Sequence, residues 1–179
     1  PPTDPAADYA VRIFSPTREM PFAGHPTLGS AAAWMHGGGV PRQAGRVVQE
    51  CAIGLVVIDL SGAAPAFVAP TTTCQPMDGA ERARICAALG IAPEEVRASV
   101  QLDNGVVRQV LELDSAAQVL ALDATAVSLP VFQGVSVMGR HPAGGDAAYE
   151  VRNLTPVSLL PEDAVTGSMI AAVAMWLRD

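Results

Sequence analysis

The sequence predicts an α+β protein of two similar lobes, and three observations carry that reading. One phrase is written twice. Val11-Arg12-Ile13-Phe14-Ser15-Pro16, followed by Pro21, leads into Gly24-His25-Pro26 and an Ala-rich run ending at Trp34. Val151-Arg152-Asn153-Leu154-Thr155-Pro156, followed by Pro161, leads into Thr166-Gly167-Ser168 and an Ala-rich run ending at Trp176. The pattern V-R-x-x-[ST]-P-x-x-x-x-P recurs at an offset of 140 residues, as expected of two strand–turn–helix units related by a pseudo-two-fold. The second observation is that strand and helix patterns mix without the regular βαβ alternation of a doubly wound sheet. The third is composition: half of the 179 residues are apolar and 16% are charged, which supplies a sizeable core. Each lobe is read as a curved mixed β-sheet around a central helix, the lobes spanning 1–73 and 74–179.

The elements follow in order. Tyr9 to Phe14 is rich in β-branched and aromatic residues and reads as a strand. Thr27 to His36 reads as a helix, with Pro26 suited to its first turn and Gly37-Gly38-Gly39 as its stop. This helix is apolar on nearly all sides, which predicts that sheet wraps it. Val47–Glu50 and Leu55–Leu60 form a hairpin around Ile53-Gly54, and Ala66–Ala69 a further strand. Pro70 to Pro76 reads as the linker. A helix then runs from Asp78 or Gly79 to Leu89, stopped by Gly90. Pro93 to Val96 is a turn. Asp103-Asn104-Gly105 is a tight turn before a strand. Ser115 caps a short helix to Leu122. Gly134–Arg140 and Ala147–Leu154 are strands, and Thr166-Gly167-Ser168 opens the last helix.

A net charge of −7 argues against nucleic acid or an anionic membrane as a partner. No apolar run approaches the roughly 18 residues of a membrane span. Cys51, Cys74 and Cys86 are odd in number and lack metal-ligand spacing, so neither a disulfide framework nor a metal site is expected. They read as small apolar fillers in a reducing cytoplasm. The chain opens on Pro1, and its last helical run reaches Arg178-Asp179 without a Gly or Pro stop, which suggests a fragment or one part of a larger assembly.

The chemistry concentrates at two helix starts. A helix N-terminus presents unpaired N–H groups and partial positive charge, so it suits carboxylates. Gly24 admits close backbone approach, and His25 has a side chain that titrates near neutrality. The alternative is a plain turn with His25 on the surface. Thr166, Gly167 and Ser168 repeat the arrangement, with Glu162 and Asp163 just before them either as caps or as acid/base groups. If the lobes are symmetric, His25 and Asp163 occupy near-equivalent places and suit proton transfer beside a substrate carboxylate. Arg12 and Arg152 are expected to face solvent or an internal carboxylate. His36 is read as a capping or surface residue, His141 as an exposed loop residue, and Trp34 and Trp176 as core.

The segment Arg12-Ile13-Phe14-Ser15-Pro16-Thr17-Arg18-Glu19-Met20-Pro21-Phe22-Ala23-Gly24-His25-Pro26-Thr27-Leu28-Gly29 closely resembles the hallmark of the PhzF family of phenazine-biosynthesis isomerases. Glu162-Asp163-Ala164-Val165-Thr166-Gly167-Ser168 resembles that family's second hallmark, and Asp103-Asn104-Gly105 its middle. The resemblance implies a diaminopimelate-epimerase-like fold with the active site between two lobes. It implies cofactor-independent isomerisation of a small carboxylate-bearing metabolite, similar to trans-2,3-dihydro-3-hydroxyanthranilate isomerase. By the same resemblance Asp163 and His25 lie close to the transferred proton, and Gly24, Pro26, Thr166, Gly167 and Ser168 hold the substrate. A homodimer, or completion by missing segments, is the implied assembly.

The family's principal acid/base is a glutamate upstream of the first hallmark, and neither Glu19 nor Glu50 fits its local pattern. The chain therefore reads as the family's middle, without its N- and C-terminal segments. A non-catalytic ligand-binding or scaffold protein, or an inactive fragment, is the rival reading. Thiol-based epimerases of the same fold need a Cys at each helix start. Here His25 and Asp163 stand there instead, which disfavours a two-thiol mechanism.

Overall fold

The computed structural model describes residues 1–15, 18–127, 134–155, 161–163 and 165–178. Pro16 and Pro156 of the repeated phrase, Ala164 and Asp179 lie outside the described residues. The fold is α+β, and the chain divides into two compact units, Pro1–Ala69 and Pro70–Asp179.

The first unit opens with strands β1 (Tyr9–Ala10), β2 (Ile13–Phe14) and β3 (Glu19–Met20), followed by helix α1 (Gly24–His36). Strands β4 (Arg46–Cys51), β5 (Gly54–Asp59) and β6 (Ala66–Phe67) complete it. The expected single strand from Tyr9 to Phe14 is divided. Its first part pairs in parallel with β4, and its second turns away to pair antiparallel with β3. The sheet order is β1-β4-β5-β6. Gly54, at φ 103°, takes the left-handed turn position that admits few other residues and closes the β4–β5 hairpin. Helix α1 starts three residues earlier than its sequence predicts, so Gly24 and His25 stand inside its first turn. The sheet covers one face of this helix. Thr27 and Ala31 are buried while Gly29, Ala32 and Ala33 stay exposed, a narrower burial than an all-round apolar helix predicts. Tyr9, Ala31, Val47 and Ile58 form the core, and Trp34 stacks on Tyr9 at 5.3 Å between ring centres.

The second unit begins with β7 (Thr73–Pro76), helix α2 (Gly79–Leu89), a 3₁₀ turn (Pro93–Glu95), and strands β8 (Val96–Asp103) and β9 (Val107–Leu113). Helix α3 (Ala116–Ala121), strands β10 (Val135–Arg140), β11 (Tyr149–Leu154) and β12 (Glu162–Asp163), and helix α4 (Gly167–Arg178) follow. The stretch expected as a linker is in part strand, because Thr73 to Pro76 pair with Asp103 to Val100 at the sheet edge. Cys74 lies on that edge and is exposed, unlike the buried filler expected, while Cys86 is buried as read. Asp78 caps α2 through its side chain, Gly90 ends it at φ 68°, and Ser115 with Gln118 forms a capping box on α3.

The six-stranded sheet runs β12-β11-β10-β9-β8-β7, antiparallel except for the β9–β10 pair. Helices α2 and α3 cover one face through Ile85, Cys86 and Val119, packed with Leu111, Leu113 and Val137. Helix α4 covers the other through Met169, Ala172 and Val173, packed with Val100, Leu102, Val110 and Met138. Consecutive residues Val110 and Leu111 thus enter different cores, as the period of two along a strand requires.

Candidate functional site

The start of α1 carries Gly24, His25 and Pro26. Its N-cap, Ala23, is extended and supplies no side-chain cap, and no acidic residue occupies the first turn. The N–H groups of Gly24 and His25 have no partner inside the helix, so this end is open to an acceptor. A Cβ on Gly24 would lie 3.1 Å from Cζ of Phe67, whose ring meets Phe22 edge-on. His25 is exposed, with no side-chain hydrogen bond or ion pair among the described residues.

A buried relay supports this helix start from the sheet. The Tyr9 hydroxyl donates to Gln49 Oε1 (2.8 Å), Gln49 Nε2 donates to Thr27 Oγ1 (3.1 Å), and the Thr27 hydroxyl donates to the Ala23 carbonyl (3.0 Å). The Ala23 carbonyl can only accept, so the Thr27 proton goes to it, Thr27 Oγ1 accepts from Gln49 Nε2, and Gln49 Oε1 is left to accept from Tyr9. Burial pushes the Tyr9 phenol up to about 12, and the nearby Cys51 adds to it.

The start of α4 brings together Asp163, Thr166, Gly167 and Ser168. Asp163 ends β12, paired with Asn153 of β11, whose Oδ1 accepts from the buried Ser136 hydroxyl at 3.0 Å. Val165 N donates to Asp163 Oδ1 (3.3 Å), and the Thr166 hydroxyl donates to the Asp163 carbonyl (3.3 Å). Thr166 is buried and has φ 28°, the only left-handed non-glycine among the described residues. That conformation costs a β-branched residue about 1–3 kcal/mol, and such strain concentrates at functional sites. Its carbonyl accepts from Met169 N and Ile170 N, opening the helix.

Ser168 is held twice. Its Oγ accepts from Arg108 Nη2 at 2.8 Å, and its carbonyl accepts from Asn104 Nδ2 at 2.7 Å. Partial burial alone would push the Asp163 carboxyl up. Hydrogen bonds from Thr166 and Val165, with the charge of Arg108, instead hold it below the usual carboxylate range. Burial works against the Arg108 cation and Asp163 supports it. Arg108 Nε and Asn104 Oδ1 are buried without a hydrogen-bond partner among the described residues, one donor and one acceptor in reserve beside Ser168.

Of the residues singled out in the sequence, Gly24, His25 and Pro26 gather at the α1 start in the first unit. Asp163, Thr166, Gly167 and Ser168 gather at the α4 start in the second. Glu162 is not a helix cap, because Arg152 takes it as an ion pair at 2.7 Å. Arg12 meets Glu19 at the same distance, and His141 is half-buried against Glu150 at 3.1 Å. Sequence reasoning passed over Arg108 and Gln49. No local pattern marks Arg108, because its face of β9 alternates Arg108, Val110 and Glu112. Among the described residues no cluster of three or more His, Cys, Asp or Glu is arranged to hold a metal, and no helix is long and apolar enough to cross a membrane.

The family profile of phenazine biosynthesis-like proteins, PhzC-PhzF, matches residues 1–179. The chain belongs to this family. As a PhzF relative it is 35% identical over 193 residues to an "uncharacterized isomerase" of Mesorhizobium japonicum, covering 97% of this chain and 63% of that protein. It is 32% identical over 174 residues to trans-2,3-dihydro-3-hydroxyanthranilate isomerase of Pseudomonas aeruginosa, covering 95% of this chain and 60% of that enzyme. The chain thus spans less than two thirds of the length of these relatives. Among solved structures, a PhzF-family protein of Bacillus anthracis superposes with a TM-score of 0.77 over 97% of this chain and 62% of its own, at 15% identity. A predicted epimerase of Pseudomonas aeruginosa gives 0.69 over 99% of this chain and 64% of its own, at 21% identity. At these identities the likeness is one of fold.

Proposed function

We propose that this chain forms part of a cofactor-independent isomerase that moves a proton on a small carboxylate-bearing metabolite, similar to trans-2,3-dihydro-3-hydroxyanthranilate. The observation that carries the reading is the exposed Asp163 carboxylate, kept ionised at the mouth of α4 beside Ser168. A base takes a proton from one carbon of the substrate and an acid returns one at another, so atoms balance and no cofactor is consumed. Asp163 and His25 assist the proton transfer, and Gly24, Pro26, Thr166, Gly167 and Ser168 hold the substrate. Both helix starts suit a carboxylate ligand, because each offers N–H groups at the positive end of a helix dipole. Relatives named as isomerases support the reaction class. The family resemblance assigns the principal acid/base to a glutamate that no position of this chain matches, so the activity belongs to the whole protein. A cytoplasmic homodimer is the proposed setting, and the three unpaired cysteines agree with a reducing compartment.

The test is turnover of trans-2,3-dihydro-3-hydroxyanthranilate by the full-length protein, in heavy water to follow the proton. His25→Ala and Asp163→Ala should each lower kcat by about 10²-fold. Unchanged kinetics in both variants would remove the assignment.

A further inference from the structure

We propose that Arg108 is the positioning residue of the α4 start, acting through Ser168 with Asn104 as its second arm. Ser168 stands 60 residues from Arg108 and 64 from Asn104, so its two hydrogen bonds join the β8–β9 hairpin to the helix start. Arg108 is half-buried on the strand face that also presents Val110 to α4. A cation withdrawn from water there works against stability unless its bonds are well made.

The geometry has a chemical consequence. A serine oxygen that accepts Nη2 must turn its own proton elsewhere. Arg108 therefore fixes Ser168 as a donor toward any acceptor placed at the helix mouth. Asn104 holds the carbonyl of the same residue, so Ser168 is fixed by both side chain and main chain. This two-point hold also accounts for the persistence of the left-handed Thr166, two residues earlier, because strain survives only where neighbours over-determine it. The Arg108 charge also helps to hold the Asp163 carboxyl low, behind the hydrogen bonds of Thr166 and Val165. The consequence for turnover rests on the isomerase reading, whereas the positioning itself does not.

The experiment uses the full-length protein, with Arg108→Met, Arg108→Lys, Ser168→Ala and the double variant Arg108→Lys/Ser168→Ala. Hydrogen exchange at the Met169 and Ile170 amides reads the opening of the first turn. Each single variant should speed it by about 10-fold, the scale of one charge-assisted hydrogen bond. The double variant should be no faster than either parent, since both remove one interaction. The Asp163 carboxyl, followed by ¹³C NMR, should titrate higher in Arg108→Met and return toward wild type in Arg108→Lys, which restores charge but not the guanidinium fork. Unchanged exchange in the Arg108 variants, or additive effects in the double variant, overturns the proposal. Should Arg108→Met fail to fold, Arg108→Lys and the cycle with Ser168→Ala decide it. If wild type does not turn over trans-2,3-dihydro-3-hydroxyanthranilate, the isomerase reading fails alone, and exchange and titration still judge Arg108. If it does, Arg108→Lys should lower kcat more than it raises KM.

Discussion

Arg152 grips Glu162 with two parallel hydrogen bonds, Nε to Oε1 at 2.9 Å and Nη2 to Oε2 at 2.7 Å. Its third nitrogen, Nη1, donates to the Val119 and Leu122 carbonyls at the end of α3, at 2.9 and 2.8 Å. One side chain thus ties the edge strand β12 to β11 and stops a helix. The other copy of the Val-Arg phrase makes the same fork, Arg12 to Glu19, at 2.8 and 2.7 Å. Burial separates the two: the Arg152 side chain is 14% exposed and that of Arg12 72%.

That difference sets the first expectation. Arg152→Ala should cost about 2 kcal/mol in urea unfolding, because it strands a partly buried carboxylate and two helix carbonyls. Arg12→Ala should leave the midpoint unmoved, as for most surface pairs. The Arg152 hydrogen bonds hold the Glu162 carboxyl low; burial opposes them and the Arg152 charge assists. A lowered folded pKa gives stability that is present above the ordinary glutamate value and is lost as pH falls through the folded one. Arg152→Ala should flatten that acid limb.

Gly139 of β10 carries a steric prediction. A Cβ there would lie 2.3 Å from the Ser115 carbonyl oxygen and 2.5 Å from its carbon, at the N-cap of α3. Both atoms are backbone, so the helix or the strand must move. Gly139→Ala should destabilise by about 1–3 kcal/mol, the usual scale for overpacking, and calorimetry of the pair checks it. Gly29→Ala, with nothing within 4 Å of the added carbon, is the control and should be neutral or slightly stabilising.

The contrast between these features and the rest shows what a sequence can reveal. Asp78, Gly90 and Ser115 were legible because a cap is decided within four residues of chain. The α1 start was misplaced by three residues because Gly24 and His25 have poor helix propensity, and the Thr27–Gln49 bond favours a start that local preference does not. Strand β12 has two residues and exists because Asn153 and Leu154 offer it an edge, which no periodicity reports. Asp163 and Ser168 were readable from a hallmark motif. Arg108 was not, since its role depends on which helix covers its strand face.

Tyr9 offers an alkaline test. Its phenol is raised to about 12 by burial, with Cys51 adding to the effect, against the usual value of 10. A raised folded pKa means the contribution is full below 10 and is lost as pH climbs toward 12. Phenolate absorbance should show one tyrosine ionising in that late window, and Tyr9→Phe should abolish the step. The same variant leaves buried Gln49 Oε1 without its donor, which should cost about 1–2 kcal/mol in the neutral range.

Thr166 gives the expectation closest to chemistry. Burial pushes the Asp163 carboxyl up, and hydrogen bonds from Thr166 and Val165, with the charge of Arg108, outweigh it. Thr166→Val keeps the β-branched shape and removes the hydroxyl, whose one proton serves both the carbonyl and the carboxylate of Asp163, so Asp163 should titrate higher by ¹³C NMR. With a lowered folded pKa, the stabilisation from Asp163 is present above the ordinary aspartate value and lost as pH falls through the folded one. The variant should therefore narrow the acid limb of stability. Asp163 stays ionised at neutral pH in wild type. An unchanged Asp163 titration in Thr166→Val would show that the hydroxyl serves the Asp163 carbonyl alone.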